Sequence, residues 1–173
     1  MRSPIQFVTP ANLLIDVCVV PPHPFLIQNQ QQLLPNWQTS VTNLILVLQQ
    51  SSLSLRESTP QVAIEKKLRR AIFIRFACTL IFALQDNGYV SDLFDPRTGY
   101  PLFADPEMTF DDNAAVNALL GYPLINYAQC SLMAHPTWQH HVYPSTIVTV
   151  ANRQQITTSL QQIAARQNWR LKD

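Results

Sequence analysis

One cysteine and three histidines lie close together in the second half of the chain, and their side chains are the ones best suited to bind a metal. They follow the pattern C-x4-H-x4-H-H and are Cys130, His135, His140 and His141. Compact zinc sites place paired ligands about two to five residues apart, and this spacing matches no such signature. Histidines at a surface or at the entry to a strand are the alternative. We therefore predict no metal site here.

Two carboxylates, Asp92 and Asp95, are the candidates for acid–base chemistry. Residues three apart in a strand point to opposite faces, so these two side chains are not expected to converge. Asp95 precedes Pro96, and Gly99 follows, which is the pattern of a type I turn with a bulge. Asp95 is therefore predicted to be a turn residue. The same alternation predicts that one of Tyr89 and Asp92 is in the core and the other at the surface.

Glycine is scarce, which excludes whole classes of binding loop. The chain has three glycines, Gly88, Gly99 and Gly121, and neither a P-loop nor a dinucleotide fingerprint can be built from them. All three glycines lie in two motif blocks. The first block spans residues 88–99, GYVSDLFDPRTG. The second begins at Leu120-Gly121-Tyr122 and continues through Cys130 to His135-Pro136-Thr137-Trp138.

These two blocks resemble the methylmalonic aciduria and homocystinuria type D family, the CblD-type cobalamin trafficking proteins. Animal members of that family read G-Y-x-x-D-x-x-D-P-x-x-G in the first block, then L-G-aromatic, a Cys-Cys strand and H-x-x-W. A weaker likeness extends upstream to about residue 13. The matching positions are Gly88, Tyr89, Asp92, Asp95, Pro96, Gly99, Leu120, Gly121, Tyr122, Cys130, His135 and Trp138.

Position 129 departs from the family pattern. The resemblance implies that the first cysteine of the pair forms a thiolate bond to cobalt while cobalamin sits on a CblC partner, but this chain has Gln129 there and keeps only Cys130. Strand alternation places Cys130 with Leu132 and Ala134 on an apolar face, so we predict a buried thiol and no cobalt–thiolate bond. Gln129 and His135 fall on the polar face and are the candidate positions facing cobalamin or a partner.

The resemblance implies a function, and two other functions are alternatives to it. It favours a non-enzymatic adaptor in intracellular cobalamin handling that acts through a CblC-like partner and holds no cofactor stably. The first alternative is a small flavin-dependent reductase that retains a nitroreductase-type site, and the second is an interaction domain without a ligand. Bound yellow colour after purification would separate the adaptor from the reductase.

Capping and periodicity predict the elements that position these residues. Thr59 caps a helix that starts at Pro60 and stops at Gly88, and its apolar character from Ala71 onward predicts a central core helix. Strands are predicted at residues 13–20, 44–48, 90–94, 100–103, 129–135 and 142–150, helices at 24–34 and from Asn152, and an acidic loop or short helix at 104–117. We expect an α+β fold with a mostly antiparallel sheet around this long helix, and the resemblance implies a flavin-nitroreductase-like fold.

Composition sets the remaining expectations. The 173 residues predict one domain, residues 11–170, behind a short N-terminal extension of residues 1–10. The net charge of +1 argues against nucleic acid and anionic membranes as partners. Three cysteines in apolar runs indicate reduced thiols and a cytoplasmic protein, and a homodimer is possible. The basic cluster from Lys66 to Arg70 is predicted to be a solvated helix face, with a phosphate or acidic-partner contact as the alternative.

Overall fold

The computed structural model describes residues 3–127 and 130–172, and the secondary structure within them is a mixture of strands and helices. The elements are β1 (Ile5–Val8), β2 (Leu14–Val20), α1 (Pro24–Gln28), α2 (Gln30–Leu33), β3 (Asn43–Gln50), α3 (Pro60–Asp86), β4 (Ser91–Phe94), α4 (Asp112–Leu120), β5 (Leu124–Tyr127), β6 (Cys130–Met133), β7 (Val142–Thr149), α5 (Arg153–Arg166) and β8 (Arg170–Leu171).

A six-stranded sheet in the order β4-β7-β3-β2-β1-β8 organises the molecule, and every neighbouring pair in it is antiparallel. The predicted α+β class with an antiparallel sheet is confirmed. β3 lies in the middle of the sheet and is buried on both faces, which is why its sequence is a continuous apolar run. β5 and β6 form a separate two-stranded ribbon, which we call the β5–β6 ribbon.

Alternate residues of β3 belong to two different cores, so the sheet is covered on both sides. Ile45 and Val47 pack with α3 and α5. Leu44, Leu46 and Leu48 pack with α1, α2, α4 and the inner face of the β5–β6 ribbon. The chain therefore has three layers, with the sheet between two layers of other elements.

The long helix α3 begins and ends where its capping residues predict. The Thr59 hydroxyl accepts a hydrogen bond from the Val62 N–H at 3.2 Å, and Gly88 follows the helix with φ +85°. Phe76 and Leu80 are fully buried against the sheet, whereas Phe82 is 52% exposed on the opposite side. The helix therefore lies on one face of the sheet. Within the described residues, no helix is both long and apolar enough to cross a membrane.

Several predicted boundaries differ from the structure. The predicted extension of residues 1–10 contains β1, which pairs with both β2 and β8 and so belongs to the sheet. The helix predicted at residues 24–34 is two short helices that meet at Asn29. The strand predicted at 100–103 is reduced to one bridge between Phe94 and Pro101. The acidic segment 104–117 contains most of α4, capped by the Asp111 side chain.

Candidate functional site

The β5–β6 ribbon presents an exposed thiol beside apolar side chains. Tyr127 pairs with Cys130 and Ile125 with Leu132, so these four residues share one face of the ribbon. Ile125 is 41% and Tyr127 42% exposed, and Cys130 is exposed and free. The Arg56 guanidinium lies 4.4 Å from the centre of the Tyr127 ring, a cation–π contact.

The prediction that Cys130 is a buried core thiol is wrong. The other face of the ribbon packs inward at one end, where Met133 is 3% exposed and packs with α4, whereas Asn126 and Ser131 on the same face are exposed. Ala134 is buried as well, but it lies beyond the end of β6 and therefore does not report on which face of that strand is inward. Gln129, predicted to face cobalamin or a partner, lies outside the described residues.

His135 is an internal anchor. Its Nδ1 accepts hydrogen bonds from the backbone N–H groups of Thr137 and Trp138, each at 3.2 Å. Its Nε2 must therefore carry the proton, and it faces Asp16 Oδ2 at 3.3 Å. The Trp138 ring stacks on the imidazole with centroids 3.9 Å apart, and the Tyr122 ring contacts it edge-on.

These contacts use both ring nitrogens of His135 and leave the residue 4% exposed. The prediction that His135 faces cobalamin or a partner therefore does not hold. Sequence reasoning also missed its partner Asp16, which is 3% exposed and accepts a second hydrogen bond from Gln6 at 2.6 Å. A lone carboxylate in the apolar run LIDVCVV was the available signal, because a buried charge requires a partner.

The two carboxylates of the first block diverge, as predicted, and each has a structural role. Asp92 is 1% exposed, and its carboxylate accepts hydrogen bonds from the N–H groups of Leu93, Leu102 and Phe103. Burial raises its pKa even though these N–H groups favour the ionised form. Of Tyr89 and Asp92, Asp92 is therefore the residue in the core. Tyr89 is half-buried, and its hydroxyl oxygen accepts a hydrogen bond from the Gln155 side chain.

Asp95 ties the turn to helix α3. Its carboxylate receives two hydrogen bonds from Arg70, at 2.7 and 2.5 Å, and one from the Arg97 N–H at 3.0 Å. These bonds to Arg70 hold the pKa of Asp95 below its usual value. Gly99 closes the turn at φ +75°, where a Cβ atom would lie 2.5 Å from the Phe110 carbonyl oxygen. A side chain cannot be accommodated there.

A groove runs between α3, this turn, the start of α4 and the start of β7. Its volume is about 890 Å³. Lys66, Lys67, Arg70 and Arg97 line it, with Asp111 and Asp112 on the α4 side. The basic cluster is not uniformly solvated as predicted, because Arg69 points inward, is 6% exposed and pairs with Glu65 at 2.9 Å.

A family model for the methylmalonic aciduria and homocystinuria type D protein matches residues 6–161. The chain belongs to this family. It is 24% identical over 136 residues to proteins named cobalamin trafficking protein CblD from Mus musculus, Rattus norvegicus and Homo sapiens. The match covers 78% of this chain, which spans about half the length of those relatives because the match covers 46% of each.

In this member of the family, the motif residues hold the fold together. Asp92, Asp95 and Gly99 fix the turn after β4, and His135 and Trp138 fix the turn after β6. Gly121 caps α4 with φ +72°. Cys130 is the motif side chain with chemical reactivity that also reaches the surface. In residues 3–127 and 130–172, no three His, Cys, Asp or Glu side chains converge to hold a metal.

We expect a pH-dependent stability effect from Asp112. Its carboxyl group accepts a 2.6 Å hydrogen bond from Thr146, and desolvation raises its pKa from 3.8 to about 8. As pH rises from 4 to 8, the unfolded chain releases this proton before the folded one, so Asp112 progressively destabilises the fold. Urea unfolding at pH 5 and at pH 8 measures the effect. The free energy of unfolding of Asp112→Asn, relative to that of the unchanged protein, should be at least about 1 kcal/mol higher at pH 8 than at pH 5. A constant difference between the two proteins would contradict it.

Proposed function

We propose that this chain acts in cobalamin trafficking as a non-enzymatic adaptor that binds a CblC-type protein. Family membership supports the process, since the relatives are named cobalamin trafficking proteins. The observation that carries the adaptor role is the outer face of the β5–β6 ribbon. This face exposes Ile125 and Tyr127 beside a free thiol.

The ribbon face has the chemistry of an interface anchor. Aromatic side chains with a polar tip are enriched at the centres of protein interfaces, and Tyr127 is already held in place by Arg56. Two contacts hold the ribbon against the rest of the molecule: Met133 packs in the core, and the Asn113 side chain donates a hydrogen bond to the Ser131 carbonyl group at 3.1 Å. The presented surface is therefore preorganised, which lowers the entropic cost of binding.

The adaptor role predicts capture of a purified CblC-type protein loaded with cobalamin. Tyr127→Ser should weaken that capture by about thirtyfold, the cost of losing an interface anchor worth ~2 kcal/mol. Tyr100→Ser is the matched control, because Tyr100 is similarly exposed, at 50%, on the turn after β4 and is not part of the ribbon. Affinity would be measured by calorimetry. Equal binding by both variants would exclude the ribbon, and no binding by the unchanged chain would exclude the adaptor role.

We further propose that no cobalt–sulfur bond forms, because the family's cobalt-directed position holds Gln129 and an amide supplies no thiolate. Because Cys130 is exposed, burial does not prevent its thiol from reaching cobalt, and Cys130 is therefore the residue to test. The visible spectrum of cobalamin should stay unchanged when the chain is added, with or without the CblC-type protein. A spectral shift that Cys130→Ser abolishes would overturn this proposal and leave the adaptor role intact. A stoichiometric flavin absorbance band after purification would instead favour a reductase.

A further inference from the structure

Several positively charged side chains line the groove, although the chain as a whole is nearly neutral. Arg70 lies about one turn beyond Lys66 and Lys67 on α3, and all three side chains line the groove. Arg97 enters the groove from the turn after β4. Among the described residues, neither lysine forms an ion pair, and Arg97 does not either. Four of the twelve basic side chains therefore line one groove in a chain whose net charge is +1.

The acidic side chains near the groove do not cancel this charge. Asp95 neutralises Arg70 and fixes its position, yet 37% of the Arg70 side chain stays exposed. Desolvation raises the pKa of Asp112 to about 8, and its carboxyl group accepts a hydrogen bond from Thr146, so it carries less negative charge than a fully exposed carboxylate. Asp111 accepts the Ala114 N–H as the helix cap of α4 and is the remaining acidic side chain of the lining. Lys66, Lys67 and Arg97 therefore outweigh it.

The rest of the lining combines apolar side chains with polar ones such as Thr98 and Asn113. Leu55, Phe110, Leu132 and Val142 contribute the apolar surface. His140 also lines the groove, and its Nδ1 is buried without a hydrogen-bond partner among the described residues.

We infer that this groove binds a small organic phosphate, in which a phosphate ester is joined to an apolar ring system. The phosphate lies between Lys66 and Lys67 on one side and Arg97 on the other, because lysine and arginine are the side chains best suited to a dianion. The ring lies against Leu132 and Val142. The volume of about 890 Å³ is within the range of about 300–1,000 Å³ typical of small-molecule sites. The adaptor role does not require this site.

The test uses the purified chain with adenosine 5′-monophosphate, adenosine and inorganic phosphate as probes, followed by calorimetry. The monophosphate should bind at least about tenfold more tightly than adenosine, because a charge-assisted hydrogen bond contributes about 1.5–3 kcal/mol. Inorganic phosphate should bind more weakly than the monophosphate, since it makes no contact with the apolar lining. Adenosine that binds as tightly as the monophosphate would overturn the proposal, and so would the absence of monophosphate binding.

A double variant identifies the groove as the location. Lys66→Gln with Arg97→Gln should weaken binding of the monophosphate at least about tenfold. Arg75→Gln with Arg166→Gln is the matched control, since it also removes two positive charges and both residues are exposed and do not line the groove. An equal loss in both proteins would mean non-specific charge attraction and would overturn the proposal. The assay contains neither cobalamin nor a partner protein, so its result is independent of the adaptor test.

Discussion

Truncation of Phe76 to alanine should lower the free energy of unfolding by about 3–5 kcal/mol. Phe76 is fully buried at the centre of the core between α3 and the sheet. Its ring stacks on Trp169 with centroids 4.6 Å apart and an interplanar angle of 29°. The truncation removes this contact and leaves a cavity that a close-packed core cannot collapse to fill. Urea unfolding at neutral pH measures the change.

Phe82→Ala is the matched control for Phe76→Ala. Both residues lie on α3, but Phe82 is 52% exposed and contacts Phe103, itself 50% exposed. The control should therefore cost less than about 1 kcal/mol. Similar losses in the two variants would contradict the arrangement in which one face of α3 packs on the sheet.

Asp92→Ala should cost about 3 kcal/mol or more, because it removes the acceptor shared by three backbone N–H groups. Leu102 keeps a second acceptor in the Leu93 carbonyl group, whereas the N–H groups of Leu93 and Phe103 lose theirs. The segment after the turn would then separate from β4, to which one bridge and these bonds hold it. Chemical denaturation measures the loss.

Two further variants separate this account from a general effect of charge removal. Asp92→Asn keeps one acceptor oxygen and should fall between the alanine variant and the unchanged protein. Asp105→Ala removes an exposed carboxylate from the same segment and should stay within about 0.5 kcal/mol of the unchanged protein. If Asp92→Ala were as mild as Asp105→Ala, the hydrogen bonds to Asp92 would not stabilise the fold.

Local signals allowed the sequence to predict most long elements. Thr59 and Pro60 set the start of α3 because a cap and a helix-compatible proline act on their own neighbours. The Asn152 capping box set the start of α5 for the same reason. The apolar runs of β2 and β3 mark strands buried on both faces.

The candidate site was harder to predict because its features depend on distant contacts. Strand alternation pairs Cys130 with Leu132 correctly, but which face of a ribbon is inward depends on what packs beneath it. His135 belongs to the interior because Asp16, 119 residues away in sequence, accepts a hydrogen bond from its Nε2–H group. The two short strands β1 and β8 pair with each other at opposite ends of the described chain. These partners lie too far apart in the sequence for a local pattern to predict their contact.

The position of β3 in the sheet has a consequence for the order in which the chain folds. β3 pairs with β7, and Thr42 bonds the carbonyl group of Thr149 across 107 residues of sequence. During synthesis, β2 and β3 can pair early, while the other edge of β3 waits for most of the chain to be made. Closing such a long loop slows folding and leaves an apolar edge open to other chains. The nascent protein is therefore most vulnerable to aggregation before β7 leaves the ribosome.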